Sequence, residues 1–131
     1  MLRYLLAAPF LIHGLAHLSG FLTSWTGAET GFSNQPWIFT SQVSLKSGPG
    51  RVFGLLWLAA AAGFTATAYG LAFRGELWIL TALPAAAASL LAILPWLRTV
   101  PPGAWVGAVF DLIVIVVLYT PLQDRLLSWI R

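Results

Sequence analysis

The chain has 131 residues, of which 59% are hydrophobic and 8% charged, with a formal net charge of +3 and a mean hydropathy of +0.83. Soluble domains carry about a quarter charged residues, so this composition excludes an ordinary water-soluble domain. The small, dispersed positive charge leaves no nucleic-acid footprint, and the absence of cysteine removes disulfides, thiolate metal ligation and thiol redox chemistry together.

Four apolar runs lie at about 4–24, 51–73, 77–96 and 104–120. Each is close to the ~20 residues that a helix needs to cross a bilayer, and in lipid such runs must be helical to satisfy their own backbone. The expectation is a single all-α domain over 1–131. It is an integral membrane, four-helix transmembrane bundle with a long loop after helix 1 and a short interfacial C-terminal tail, its surroundings a lipid bilayer.

The first run, Tyr4 to Ser24, places Tyr4 and Trp25 at its two ends, where amphipathic rings prefer to sit. Arg3 precedes it, but its length, Pro9, His13 and His17, and the lack of a small-residue cleavage site, mark a retained helix rather than a signal peptide. Residues 26–50 are punctuated by Gly, Ser, Asn and Pro as a loop. Within it the cluster Trp37-Ile38-Phe39 is too short to span and is expected to dip into the interface or cap the bundle.

The second run, Arg51 to Phe73, follows the turn Gly48-Pro49-Gly50 and repeats small residues at Ala59, Gly63 and Thr67, a stripe that admits a neighbouring helix closely. The short turn at Arg74-Gly75-Glu76 makes the second and third helices antiparallel neighbours. The third, Leu77 to Trp96, contains Pro84, where a kink is expected. The fourth, Ala104 to Thr120, is ended by Pro121. The tail sets Leu126, Leu127, Trp129 and Ile130 among Asp124, Arg125 and Arg131, the pattern of a short helix at a membrane surface.

Four spans place both termini on one side. Arg3, Arg74, Arg125 and Arg131 fall there, against Lys46, Arg51 and Arg98 on the other, which favours cytoplasmic termini. By this topology Trp25, Trp37, Trp96 and Trp105 form an outer aromatic belt and Trp78 and Trp129 an inner one. Trp57 alone falls inside a helix, as core or pocket wall.

His13 and His17 are the chain's two histidines. Four residues apart, they share one helix face about 6 Å apart along the axis. Asp111 lies two turns into the fourth helix, at a depth resembling that of His17, and repeats by four with Gly103 and Gly107. Arg51 begins the second helix on the same side. The expected site is therefore an outer-half cluster of His13, His17, Arg51 and Asp111, with Ser19, Thr23, Ser89 and Arg98 within reach.

Three readings of that cluster stand together. A buried Asp paired with Arg or His fixes helix register. Intramembrane ionisable groups also line ligand cavities. His13, His17 and Asp111 would make a three-ligand metal site with one open position. Two histidines on one helix face do not flank a haem from opposite sides, so haem requires a dimer or another axial ligand. The spacing lacks the Glu of H-E-x-x-H, and no phosphate-binding loop or glycine-rich nucleotide fingerprint occurs.

The run Arg3-Tyr-Leu-Leu-Ala-Ala-Pro-Phe-Leu-Ile-His13-Gly-Leu-Ala-His17-Leu-Ser-Gly-Phe resembles the first helix of DoxX-like small membrane proteins. Gly50-Arg51-Val-Phe-Gly-Leu-Leu-Trp-Leu-Ala-Ala looks like the second helix of bacterial relatives with the same layout. The resemblance implies a four-helix bundle in a bacterial cytoplasmic membrane, some of whose relatives are subunits of quinone-linked oxidoreductases. This chain departs from them at His17, where relatives often carry Lys.

The function expected is that of an accessory or structural membrane subunit in a homo-oligomer or a larger membrane complex. The alternatives are a binding protein or carrier for a small or lipidic molecule such as a quinone, and a membrane redox or metal-dependent catalyst using His13, His17 and Asp111. The sequence designates no cofactor and leaves catalysis open.

Overall fold

The computed structural model describes residues 1–31, 35–36, 38–39, 42–74, 77–98 and 102–130, without the side chains of 74, 77 and 130. The expectations for Trp37, Glu76 and Arg131 lie outside the described residues. Among the described residues every regular element is helical: α1 (Leu2–Thr26), α2 (Gly48–Tyr69), α3 (Leu77–Ile93), α4 (Gly103–Tyr119) and α5 (Leu122–Ile130). A π-helical turn, Gly70–Arg74, extends α2, and a 3₁₀ turn, Leu94–Trp96, extends α3.

Local chemistry sets the boundaries. Gly27 ends α1 in the left-handed region, φ 77°, which glycine adopts without a Cβ penalty. Ser47 caps α2, its Oγ accepting from the Gly50 N–H at 3.3 Å, with Pro49 in the first turn where no donor is needed. α3 runs from Leu77 to Ile93 with Pro84 inside it. Thr120 is forced extended (φ −117°, ψ 167°) because the ring of Pro121 disfavours a helical residue before it, and α5 leaves at 92° to α4.

Three segments are long and apolar enough to cross a membrane: Leu2–Thr26, Gly48–Phe73 and Trp78–Trp96. A fourth qualifies if the bent pair Gly103–Tyr119 and Leu122–Trp129 is taken as one span.

Close approach between helices depends on small residues. A Cβ at Gly14 of α1 would lie 3.0 Å from Phe64 Cβ of α2, and one at Gly54 of α2 would lie 2.8 Å from Ser24 Cβ of α1. Gly63 meets Ala85 of α3, where an added Cβ would be 2.7 Å from the alanine Cβ. Thr67 shares a 2.9 Å hydroxyl bond with Thr81. Gly63 and Thr67 of the expected stripe therefore do face α3, while Ala59 is exposed and Ala60 is buried in its place.

The core divides along the bundle. Towards the termini it comprises Ala60, Phe64, Leu71, Trp78, Ala82, Ala86 and Val114. Towards the 27–47 loop it comprises Leu45, Trp57, Ala92 and Trp96. The loop folds back on this second end: Leu45 is fully buried, and Phe39 packs against Phe53 with ring centroids 5.7 Å apart. The belt assignment needs correcting at Trp78 and Trp96, which are 2% and 1% exposed. These two indoles fill the space that the small residues of α2 and α3 leave. Trp25, Trp105 and Trp129 are exposed.

Candidate ligand site at a His–Ser–Asp network

His13 and His17 project from one face of α1, Ser89 from α3 and Asp111 from α4. His13 Nε2 donates to Asp111 Oδ1 at 3.0 Å. Ser89 Oγ donates to Asp111 Oδ2 and stands 2.7 Å from His17 Nε2 and 3.4 Å from His13 Nε2. Three helices are thereby tied through one carboxylate. Asp111 and Ser89 are fully buried, His17 is 4% exposed and the His13 side chain 12%.

α2 contributes no polar group to the network, only a surface for the rings. His17 lies flat against Phe64 (5.9 Å between centroids, 17° between planes), and His13 meets the same ring edge-on at 4.8 Å. Phe110 packs against His13 from α4, also at 4.8 Å. The two imidazoles are 4.6 Å apart. An aromatic floor thus closes the network towards the termini.

Towards the loop the network opens on a cavity of about 250 Å³. His13, Ala16 and His17 form one wall, Trp57 and Trp96 another, and Gly103 and Gly107 a third. The indoles are in contact, their centroids 5.2 Å apart. Gly107 is required by the fit of His13: a Cβ there would lie 2.9 Å from His13 Cε1 and 3.0 Å from Ile93 Cδ1. Gly103 faces open space, with nothing within 4 Å of an added Cβ. Thr30, from the loop, also borders the cavity and is held by a hydroxyl bond to Thr23 and one to the Ser19 carbonyl at 3.2 Å.

Of the four residues expected at the site, His13, His17 and Asp111 come together and Arg51 does not. Arg51 is exposed in the first turns of α2. Its guanidinium sits 5.8 Å above the Trp25 ring, and its carbonyl accepts from Trp25 Nε1 at 3.1 Å. The rim of the bundle leaves that cation solvated or stacked, whereas turning it inward would cost desolvation; His13 supplies Asp111's partner instead. The depth match also shifts by one turn: Asp111 faces His13 rather than His17. α1 continues well past His13 to Thr26, whereas α4 begins at Gly103, about two turns before Asp111, so with His13 and Asp111 paired α4 begins below the loop end of α1.

Ser89 was within reach by sequence but is the hub of the network, touching all three other members. Phe64, Phe110 and Ile93 carried no sequence signal for this site, since apolar residues in apolar helices do not announce which cavity they wall, and Thr30 carried none because its place in the loop depends on how that loop folds back. Among the described residues no group of three His, Cys, Asp or Glu side chains is placed to hold a metal ion. The Nε2 atoms of His13 and His17 are directed to Asp111 and Ser89, which leaves them out of a shared coordination sphere. The chain matches no protein-family model, no curated protein and no solved structure.

Proposed function

We propose that this chain is an accessory subunit of a bacterial cytoplasmic membrane, DoxX-like in type, that binds a small lipidic molecule in the cavity beside the His–Ser–Asp network. In this reading α1 to α4 span the bilayer with both termini cytoplasmic, and α5 lies along the inner surface. Its support is the large apolar residues turned outward, among them Leu5, Ile12, Leu80, Val106, Val109 and Ile113, each more than half exposed. On a water-soluble protein so extensive an apolar surface would be a liability, and lipid removes it. α5 leaves α4 at 92° with Leu122 and Trp129 exposed, which supports a helix lying along such a surface.

The observation that carries the binding role is the cavity's construction. Two imidazole edges and two indoles meet around about 250 Å³. An apolar cavity of about 150 Å³ already takes up a benzene ring, so this one accommodates a substituted ring or a compact headgroup. The network has a second role, because a buried carboxylate bonded from two other helices fixes their register.

Gly103→Phe tests the reading. Gly103 borders the cavity and has no atom within 4 Å of an added Cβ, so a side chain can be built there at the cavity mouth without a clash at its Cβ. The wild-type protein, purified in mild detergent, is expected to carry a bound small amphiphile by native mass spectrometry and to lose it in Gly103→Phe at unchanged folding. A wild-type protein that carries nothing, and whose tryptophan fluorescence responds to no small amphiphile, leaves the network with its structural role alone.

A further inference from the structure

Resting on that binding role, we infer that the cavity selects a neutral hydroxyl donor on a single apolar ring, a phenol-class molecule, whose O–H bonds to Nδ1 of His17. The inference follows from counting protons through the network. A serine hydroxyl has one proton, and that of Ser89 goes to Asp111 Oδ2. Towards both imidazoles Ser89 Oγ is then an acceptor only. The 2.7 Å contact with His17 therefore requires the proton to be on His17 Nε2.

An imidazole with its proton on Nε2 presents a bare lone pair at Nδ1. A second proton would place a cation in a 4% exposed site whose one carboxylate is already bonded to His13 and whose neighbouring ring is 4.6 Å away. His17 is neutral, and its remaining polar atom is an acceptor. The ring borders the cavity, so an occupant satisfies it by donating. A carbonyl or an ether offers only lone pairs and leaves Nδ1 unbonded. An anion would add negative charge beside Asp111. The indoles of Trp57 and Trp96, tilted 56° to one another in a single wall of the cavity, suit a flat apolar body better than a branched one.

The test compares three probes of matched body on the purified wild-type protein in nanodiscs: 4-propylphenol, 4-propylanisole and 4-propylbenzoate. Tryptophan fluorescence, to which Trp57 and Trp96 of the cavity wall contribute, reads binding, and ¹⁵N spectra of labelled histidine read the ring nitrogens. The phenol is expected to bind about tenfold more tightly than its methyl ether, the ratio of one net hydrogen bond. The benzoate is expected to bind more weakly still, and the His17 Nδ1 resonance to move on adding phenol while Nε2 stays protonated. Equal affinity for phenol and anisole, tighter binding of the benzoate, or a His17 proton on Nδ1 overturns the inference and leaves the cavity a ligand site. Failure of all three probes to bind removes the binding role itself.

Discussion

Asp111→Asn keeps the shape of the side chain, removes its charge and exchanges one acceptor for a donor. In the wild type the carboxylate accepts from His13 Nε2 on one oxygen and from Ser89 on the other. An amide has one oxygen and one NH₂, so it accepts from only one of them. If its oxygen faces His13, the NH₂ donates to Ser89, whose own proton must then go to His17 Nε2. That nitrogen has to be bare, and His17 carries its proton on Nδ1. If the oxygen faces Ser89, the NH₂ points at His13 Nε2, and His13 must be the ring that is bare there. Either way one of the two imidazoles loses its Nε2 proton, and the cavity gains an N–H donor.

The energetic consequence is moderate. Two charge-assisted bonds become neutral ones, a loss of about 1–2 kcal/mol, partly offset because an amide is cheaper to bury than a carboxylate. Asp111→Ala, which abandons both donors, costs about 3–5 kcal/mol. The assay is histidine ¹⁵N spectroscopy on the folded protein, with thermal unfolding alongside. The asparagine variant is expected to fold with a lowered Tm and to show one ring protonated at Nδ1. Where that ring is His17, the preference for 4-propylphenol over 4-propylanisole narrows with it; where it is His13, the preference stays. A folded variant with both rings still protonated at Nε2 refutes the proton count.

Gly107→Ala is expected to destabilise by about 1–3 kcal/mol through overpacking, because its Cβ meets both His13 and Ile93. Ile93→Val removes the offending Cδ1 and should restore part of the Tm; absence of any coupling between the two changes would contradict the packing. Phe64→Ala, which removes the surface beneath both imidazoles, is expected to cost about 3–5 kcal/mol, read in denaturant or thermal unfolding. In bilayers Trp129, 70% exposed on α5, is expected to be quenched by lipids brominated near the headgroup. Quenching instead by aqueous acrylamide alone would place α5 off the membrane.

The helices were legible from hydrophobicity, and the end of the fourth from Pro121; Gly48-Pro49-Gly50, which reads as a turn by composition, instead forms the first turn of α2 behind the Ser47 cap. The π-helical turn at Gly70–Arg74 and the burial of Trp78 and Trp96 were not legible, since indole preference for an interface is outweighed wherever small residues on two helices leave room for it. At the site, the helical repeat placed His13 and His17 on one face and Asp111 with Gly107 on another. What the repeat does not contain is the axial offset between helices. Counting residues from the loop end matched Asp111 with His17, and the lower start of α4 relative to the end of α1 moved the match one turn to His13. Arg51 was misplaced for the same reason: depth along the axis says nothing about whether a side chain turns inward or over the rim.

That one-turn offset decides what the histidines can do. With Asp111 opposite His17, both polar ends would have been consumed in a pair, and His13 would have been left against Phe64 and Phe110 without a partner. With Asp111 opposite His13, the serine of α3 is needed to reach His17. A hydroxyl placed between a carboxylate and an imidazole has only one proton to give, and it passes a fixed donor–acceptor sense along the chain. The carboxylate thereby fixes, from beyond direct contact, which nitrogen of His17 is bare. A residue that ties three helices together also sets the polarity that the cavity presents. Changing the framework at Asp111 consequently also changes which ring nitrogens the two histidines leave protonated.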